Sequence, residues 1–98
     1  GGLRVDEPAS DLAMAIALAS SYLDKPLPAD IVMIGEIGLS GEIRAVSQLA
    51  LRLNEASKIG FKRAIIPRSR RNVDGLPKNM ELLPARNVLE AMNLVLPK

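Results

Sequence analysis

The sequence of 98 residues lacks cysteine and histidine entirely. Without cysteine there is no disulfide framework and no thiol nucleophile, and without histidine there is no Ser-His-Asp catalysis. The same two absences remove the thiolate and imidazole ligands on which most transition-metal sites rely. We therefore expect no metal centre and no cofactor site in this chain.

Aromatic side chains are nearly absent as well, since Tyr22 and Phe61 are the only two. The hydrophobic fraction of 48% comes mainly from alanine, leucine, isoleucine and valine, so the core must be aliphatic. Proteins that bind nucleic acid by stacking present aromatic rings to successive bases. Base stacking is therefore not an expected binding mode here.

Long apolar runs are also missing. The longest, residues 12–21, is too short to cross a bilayer. It is preceded by Asp11, where a secretion signal would carry a basic residue. We predict a cytoplasmic protein without a membrane partner. The net charge of +2 is too small to indicate a nucleic-acid partner by itself, so the positions of the basic residues have to be considered instead.

The length is that of one compact domain, residues 1–98, large enough to form a core without disulfides or metal. The chain opens with Gly1-Gly2 and has no start methionine. We therefore expect it to be a fragment of a longer protein, in which a motor or partner domain precedes it.

Apolar periodicity and turn residues predict elements in the order β-α-β-β-α-β-β-α. A short strand at residues 3–5 precedes a helix over residues 12–23, which is apolar almost throughout and is therefore predicted to be buried on most sides. Residues 31–34 read as an inner strand, followed by a hairpin that closes near Ser40-Gly41.

The second half of the chain predicts a helix that ends at Gly60, a strand at residues 64–67, a long surface loop at residues 68–78 and a strand at residues 80–84. The apolar side of that helix consists of Leu49, Leu53, Ala56 and Ile59. Asn87 is predicted to cap a last helix, whose apolar side consists of Val88, Leu89, Ala91, Met92 and Val95. Strand-helix-strand passages with mixed strand directions predict a mixed α/β fold, an α+β two-layer sandwich.

Several segments follow one another at characteristic spacing: residues 11–13, 17–21, 25–28 (Lys-Pro-Leu-Pro), 36–44 (Glu-Ile-Gly-Leu-Ser-Gly-Glu-Ile-Arg) and 55–67 (Glu-Ala-Ser-Lys-Ile-Gly-Phe-Lys-Arg-Ala-Ile-Ile-Pro). Together they closely resemble the Lon-like domain of the RadA/Sms family of DNA repair proteins, with nearly constant spacing over almost the whole chain. The resemblance implies the fold of the Lon proteolytic domain, which is of the ribosomal protein S5 domain 2-like type.

The resemblance also implies properties of a parent protein. It would be a DNA-dependent ATPase that drives branch migration in homologous recombination, with ATP and Mg²⁺ bound in a preceding motor domain. A hexameric ring, contact with single- or double-stranded DNA and a recombinase partner belong to the same expectation. This chain contains no Gly-x-x-x-x-Gly-Lys-Ser/Thr phosphate loop, so it is not expected to hydrolyse ATP itself.

The Lon proteolytic domain uses a serine in a Pro-Ser-Ala-Gly segment and a lysine after a Gly-Gly-Leu segment. Aligning residues 6–11 with the first segment and residues 47–52 with the second places Ala9 at the serine position and Ala50 at the lysine position. Hydrolysis by such a dyad needs a hydroxyl group to attack and a neutral amine to take its proton. Methyl groups do neither, so the resemblance implies a pseudo-protease rather than an enzyme.

An atypical serine peptidase that uses Ser10 or Ser47 is the enzyme alternative. Ser10 follows the aligned position by one residue, and such a slip on a helix turns a side chain by about 100°. No lysine follows Leu49 to activate a hydroxyl.

Basic residues are densest between positions 62 and 78. Arg68, Arg70 and Arg71 lie in the predicted loop, flanked by Lys62, Arg63 and Lys78. Arginines on a surface loop pair with phosphates through forked donors without reading sequence, so these six residues are the candidate DNA contacts. The alternative is a loop that is charged for solubility alone, in a module that only oligomerises.

Two further features have ordinary structural explanations. The glycines of residues 35–41 lie in a hairpin rather than before a helix, which favours turn chemistry over a phosphate cradle. Glu36 and Glu42 lack the additional ligands of a metal site, and we predict no catalytic role for them. The first and last helices offer apolar faces that fit a core or a subunit interface, and the sequence favours a core.

Overall fold

The computed structural model describes residues 11–70 and 73–96. Its elements in chain order are α1 (Asp11–Leu23), β1 (Ile31–Met33), β2 (Glu36–Ile37), β3 (Ile43–Arg44), α2 (Leu49–Lys58), β4 (Arg63–Pro67), a 3-10 turn (Arg68–Arg70), β5 (Glu81–Ala85) and α3 (Val88–Val95). The strand predicted at residues 3–5 lies outside the described residues. Every other predicted helix and strand is present, with ends that differ by a residue or so.

The strands form two separate groups. A parallel sheet has the order β1-β4-β5, with Met33 opposite Ile65 and Pro67 opposite Ala85. The antiparallel pair β2-β3 stands apart as a hairpin. Within the described residues β4 is the central strand and β1 lies at an edge, with Ile31 and Met33 buried.

Alternating residues of β4 pack on opposite faces of the sheet. Ile65 belongs to a core cluster with α1 and α3, which contribute Leu12, Ile16, Ala91 and Val95. Ala64 and Ile66 belong to a second cluster with α2, which contributes Leu49, Leu53 and Ala56. The mixed α/β class is confirmed. In the described part of the chain, helices cover the parallel sheet on both faces.

Helix α1 is less buried than its composition predicts. Leu12 and Ile16 are completely buried, whereas Leu18 is 70% exposed and Tyr22 is 89% exposed. The sequence of α1 is apolar on every face, so it contains no polar stripe from which the solvent side can be read. Contact with the sheet is confined to one face, and the exposed stripe on the other consists of Met14, Leu18 and Tyr22, spaced four residues apart.

The ends of the other two helices follow their capping signals. After α2, the amide of Gly60 (φ +112°) donates to the carbonyl of Ser57 and the amide of Phe61 donates to that of Ala56, the paired bonds of a Schellman motif. The side chain of Asn87 accepts from the amide of Glu90 at 2.8 Å, which confirms the predicted cap.

Two predicted core positions are wrong. Ile59 lies beyond the last turn of α2 and is 77% exposed, and Leu89 of α3 is 65% exposed. Both lie at a helix end, where the chain leaves the helix or has just entered it, so helical spacing alone does not place them over the sheet.

Candidate nucleic-acid interface

The three parallel strands end at one edge of the sheet, here called the carboxyl edge. Gly35 lies just beyond β1, Arg68 directly follows β4, and Arg86 directly follows β5. The amide of Leu12 donates to the carbonyl of Gly35 at 3.1 Å, so helix α1 begins at this edge. Because α2 leads from the hairpin back to the start of β4, α2 also begins here and ends at the opposite amino edge.

One of the two aligned dyad positions can be described. Ala50 is the second residue of α2 and half-buried, while Ala9 lies outside the described residues. The methyl group of Ala50 faces Gly75, where an added Cβ would lie 3.6 Å from it. The side-chain amide of Asn54 donates to the carbonyls of Ala50 at 2.7 Å and Gly75 at 2.8 Å. These contacts fix the loop after the 3-10 turn against the first turns of α2.

The structure divides the basic residues that the sequence groups together. Lys62 and Arg63 lie at the start of β4, and the amide of Glu81 at the start of β5 donates to the carbonyl of Lys62 at 2.9 Å, so Lys78 also belongs to the amino edge. Arg68 lies at the other end of β4. A strand of this length separates the two ends by about 16 Å. Arg71 lies outside the described residues.

Arg63 is held in an ion pair. Its Nη2 donates to Oδ1 of Asp30 at 2.8 Å and its Nε lies 3.4 Å from Oδ2. The hydrogen bond from Arg63 lowers the pKa of the Asp30 carboxyl below its ordinary value. The pair joins the start of β4 to the residue before β1, at the amino edge.

The carboxyl edge contains two arginines that the sequence analysis missed. Arg44 ends β3 and Arg86 follows β5, far from residues 68–71 in sequence. The register that pairs Pro67 with Ala85 places Arg68 and Arg86 at neighbouring strand ends. The signal that could have found Arg86 is positional, since it follows a predicted strand and parallel strands end together.

Lysines and arginines occupy different ends of the molecule. The described lysines precede β1, end α2 or precede β4 and β5, and all therefore lie toward the amino edge: Lys25, Lys58, Lys62 and Lys78. The described arginines other than Arg63 lie toward the carboxyl edge: Arg44, Arg52, Arg68, Arg70 and Arg86. Arginine offers forked donors that match phosphate oxygens, whereas lysine offers a point charge.

The hairpin is joined to the same edge by main-chain bonds. The amide of Ile43 donates to the carbonyl of Arg86 at 2.8 Å, and the amide of Val88 donates to that of Gly41 at 2.9 Å. Glu42 accepts from the amide of Ser40 and pairs with Arg44 at 3.2 Å. Hydrogen bonds from its own amide and that of Ser40 lower the pKa of Glu42 most, with a smaller contribution from Arg44. The side-chain contacts of Glu42 are thus within the hairpin, while its main chain pairs with Asn87 before α3.

Among residues 11–70 and 73–96, no three acidic, histidine or cysteine side chains are grouped so as to hold a metal ion. In the same part of the chain, no helix is both long enough and apolar enough to cross a membrane.

Comparison with known proteins identifies the family. Residues 1–98 match the family model of the Lon protease (S16) C-terminal proteolytic domain. DNA repair protein RadA of Bacillus subtilis is 52% identical over 95 residues, which cover 94% of this chain and 20% of that protein. RadA of Synechocystis is 47% identical over 97 residues, or 99% of this chain and 19% of that protein. RadA of Aquifex aeolicus is 49% identical over 96 residues, or 97% of this chain and 21% of that protein.

The chain thus spans about a fifth of the length of these curated relatives. The resemblance derived from residues 36–44 and 55–67 is confirmed. This chain belongs to the family of the Lon protease (S16) C-terminal proteolytic domain, in the form found in bacterial RadA proteins.

Proposed function

We propose that this chain is a non-catalytic assembly and DNA-contact domain of a cytoplasmic DNA repair protein. Its relatives are named DNA repair proteins, and that name supports the role in repair. The parent protein would couple ATP hydrolysis, with ATP and Mg²⁺ bound in its motor domain, to branch migration in homologous recombination. This domain would contribute to a hexameric ring and, with the motor, engage a recombinase.

The observation that carries the proposal is the position of Arg68 and Arg70. Both are exposed on the 3-10 turn at the carboxyl edge, directly after the central strand. A rigid strand end sets their position, while the exposed turn leaves their forked donors accessible to a phosphate backbone. Such contacts position a protein on DNA without reading its sequence, which suits a protein that moves along DNA.

The non-catalytic part of the proposal rests on Ala50 and on the chemistry of a Ser-Lys dyad. An alanine at the lysine position supplies no amine to take a proton from an attacking hydroxyl. The loop around Gly75 packs against this position, and Asn54 uses its amide to hold the loop there. Both features favour a structural use of the site.

We expect this chain to release no fluorescence from a quenched peptide substrate and no fragments from casein. A background rate, if one is measured, should be unchanged in Ser10→Ala and Ser47→Ala variants, because neither serine has an aligned lysine to activate it. Loss of a measurable rate in either variant would establish the peptidase alternative.

The DNA-contact prediction is tested by two variants with equal changes in net charge. The first replaces Arg68 and Arg70 with glutamate, and the second replaces Lys62 and Lys78 with glutamate. Fluorescence anisotropy of labelled duplex and single-stranded DNA over a salt series should give weaker binding for the first variant. The salt slope is the decrease in log affinity per tenfold increase in salt concentration, and each phosphate contact contributes about 0.9 to it for duplex DNA. Loss of two contacts should therefore reduce the change in affinity between 0.1 M and 1 M salt by nearly two powers of ten.

The amino-edge variant is the matched control, because its lysines lie about 16 Å from the carboxyl edge, one strand length away. It should retain most of the affinity and salt slope of the parent. Equal losses in both variants would mean that net charge alone drives binding. No binding by the parent chain, at concentrations where sedimentation shows it to be assembled, would contradict the DNA-contact role.

An assembly-only function is the second candidate, and the exposed stripe on α1 favours it. Met14, Leu18 and Tyr22 give α1 an apolar outer face without charge. Under this hypothesis the carboxyl-edge arginines are solvated, and their reversal leaves DNA binding by the assembled protein unchanged.

A further inference from the structure

Arg86 and Arg68 follow neighbouring strands at the carboxyl edge, and one carboxylate binds Arg86 there. The 3-10 turn that begins at Arg68 packs against β5, which ends directly before Arg86. Glu90, in the first turn of α3, is the carboxylate. Its pKa is lowered most by the hydrogen bonds from Arg86, and the charge of Arg68 lowers it further.

Glu90 binds Arg86 through both of its oxygens. Oε2 accepts from Nη2 of Arg86 at 2.8 Å and from Nε at 3.0 Å, while Oε1 accepts from the main-chain amide of Arg86 at 2.8 Å. Helix α3 is fixed at this point, because Asn87 caps the amide of Glu90. The carboxylate therefore occupies the Nε–Nη2 side of the guanidinium, one of the sides that a phosphate can approach.

The pair is open to solvent and hence to exchange. The side chain of Arg86 is 65% exposed and that of Glu90 is 32% exposed. An ion pair at this exposure is weak and is screened by salt, so a phosphate backbone brought close by Arg68 can replace the carboxylate. A buried pair would resist such replacement because of the cost of leaving one charge unpaired.

We propose that Arg86 is a further phosphate contact of the carboxyl edge, and that Glu90 is an internal counter-ion that competes with the DNA backbone for it. The inference rests on the proposed function, since it assigns an additional contact to the same surface. While DNA is absent, Glu90 keeps the side chain of Arg86 oriented at the carboxyl edge. Once DNA is bound, Glu90 lowers the affinity by competing for Arg86. A moderate hold suits a protein that must release each phosphate in order to move.

The test compares DNA binding of the parent chain with Glu90→Gln, Arg86→Gln and the double variant. Glu90→Gln should tighten binding of duplex DNA and raise the salt slope by at most about 0.9, the value for one full phosphate contact, because the backbone no longer competes with a carboxylate for Arg86. Arg86→Gln should weaken binding, because it leaves Glu90 unpaired beside Arg68. In the double variant the gain should disappear, and the slope should be no higher than that of the parent.

Glu55→Gln is the matched control. Glu55 is an exposed glutamate of α2, so the substitution changes the net charge by the same amount away from the carboxyl edge. It should change the affinity less than twofold and leave the slope unaltered. An equal gain from Glu55→Gln and Glu90→Gln would overturn the proposal and attribute the effect to net charge.

Glu90→Asp separates charge from geometry. The variant keeps the negative charge, but its shorter side chain holds Arg86 less well. Competition therefore predicts an affinity for DNA between that of the parent and that of Glu90→Gln. No gain in a variant that unfolds at the same temperature as the parent would also overturn the proposal. If the DNA-contact role itself is wrong, the result is different: replacing Arg68 and Arg70 with glutamate leaves the DNA affinity unchanged.

Discussion

Ile65→Ala should lower the free energy of unfolding of this chain by about 4 kcal/mol. Ile65 is completely buried in the middle of the central strand and packs against both helices of one face, α1 and α3. Truncation removes three carbons from contact and leaves a cavity that neither helix can fill, because α1 is tied to the sheet at Gly35 and α3 begins at a fixed cap. Domains of this size are stable by only about 5–15 kcal/mol, so the loss is a large fraction of the total.

Urea denaturation followed by circular dichroism measures this loss directly. Ile65→Val should cost about 1 kcal/mol, because it removes one methylene and leaves the β-branched shape. Ile59→Ala is the matched control, since it makes the same chemical change at a side chain that is 77% exposed, and it should change the stability by less than about 0.5 kcal/mol. Similar costs at the two positions would mean that the central strand is not the core of the sheet.

Local signals in the sequence were sufficient to place most elements. Gly60 and Asn87 act through a few neighbouring main-chain groups, so their caps can be predicted without knowing the tertiary fold. The hairpin at Ser40-Gly41 is set in the same way, since Gly41 adopts a φ of +81° that favours glycine. These predictions are confirmed because their causes lie within four or five residues.

What could not be predicted depends on contacts between distant segments. Nothing in the sequence of α1 indicates which apolar face lies on the sheet, so the exposure of Tyr22 was missed. The grouping of Lys62 with Arg68 treats neighbours in sequence as neighbours in space, yet a whole strand separates them. Arg86 was overlooked because it is distant from Arg68 in sequence but near it in the fold. The register of β4 and β5 places the two at neighbouring strand ends, although 18 positions separate them.

The residues behind both proposed roles, non-catalytic and DNA-contacting, lie at the carboxyl edge. The first turn of α2, with Ala50, and the arginines that follow β4 and β5 are all placed there by the direction of the parallel strands. An edge at which strands end and helices begin is a place where a fold can present side chains without disturbing its core. The proposed non-catalytic and DNA-contact roles thus both depend on side chains at one edge of the same sheet and helix framework.

Gly35→Val should destabilise the chain by about 3 kcal/mol, and the cause is steric rather than conformational. A Cβ added to Gly35 would lie 2.6 Å from Cγ2 of Ile43 and 3.4 Å from Cδ2 of Leu12, and both side chains are buried. At Gly35, therefore, side chains of the hairpin and of α1 both lie close to the segment that follows β1. The added methyl groups of valine would separate these segments and loosen the start of α1, which is bonded to the carbonyl of Gly35.

A double-mutant cycle in urea denaturation tests this cause. Ile43→Ala removes the atom that would clash, so Gly35→Val should cost less in that background, with a coupling energy of about 1–2 kcal/mol. Gly41→Ala provides the contrast, because no atom lies within 4 Å of an added Cβ and its cost arises only from the φ of +81°. Gly41→Asn should recover part of that cost, since asparagine tolerates the left-handed conformation, whereas Gly35→Asn should be as harmful as valine. Strictly additive effects of Gly35→Val and Ile43→Ala would instead locate the cost in the backbone at position 35, and the close approach of hairpin and helix would not be what requires glycine there.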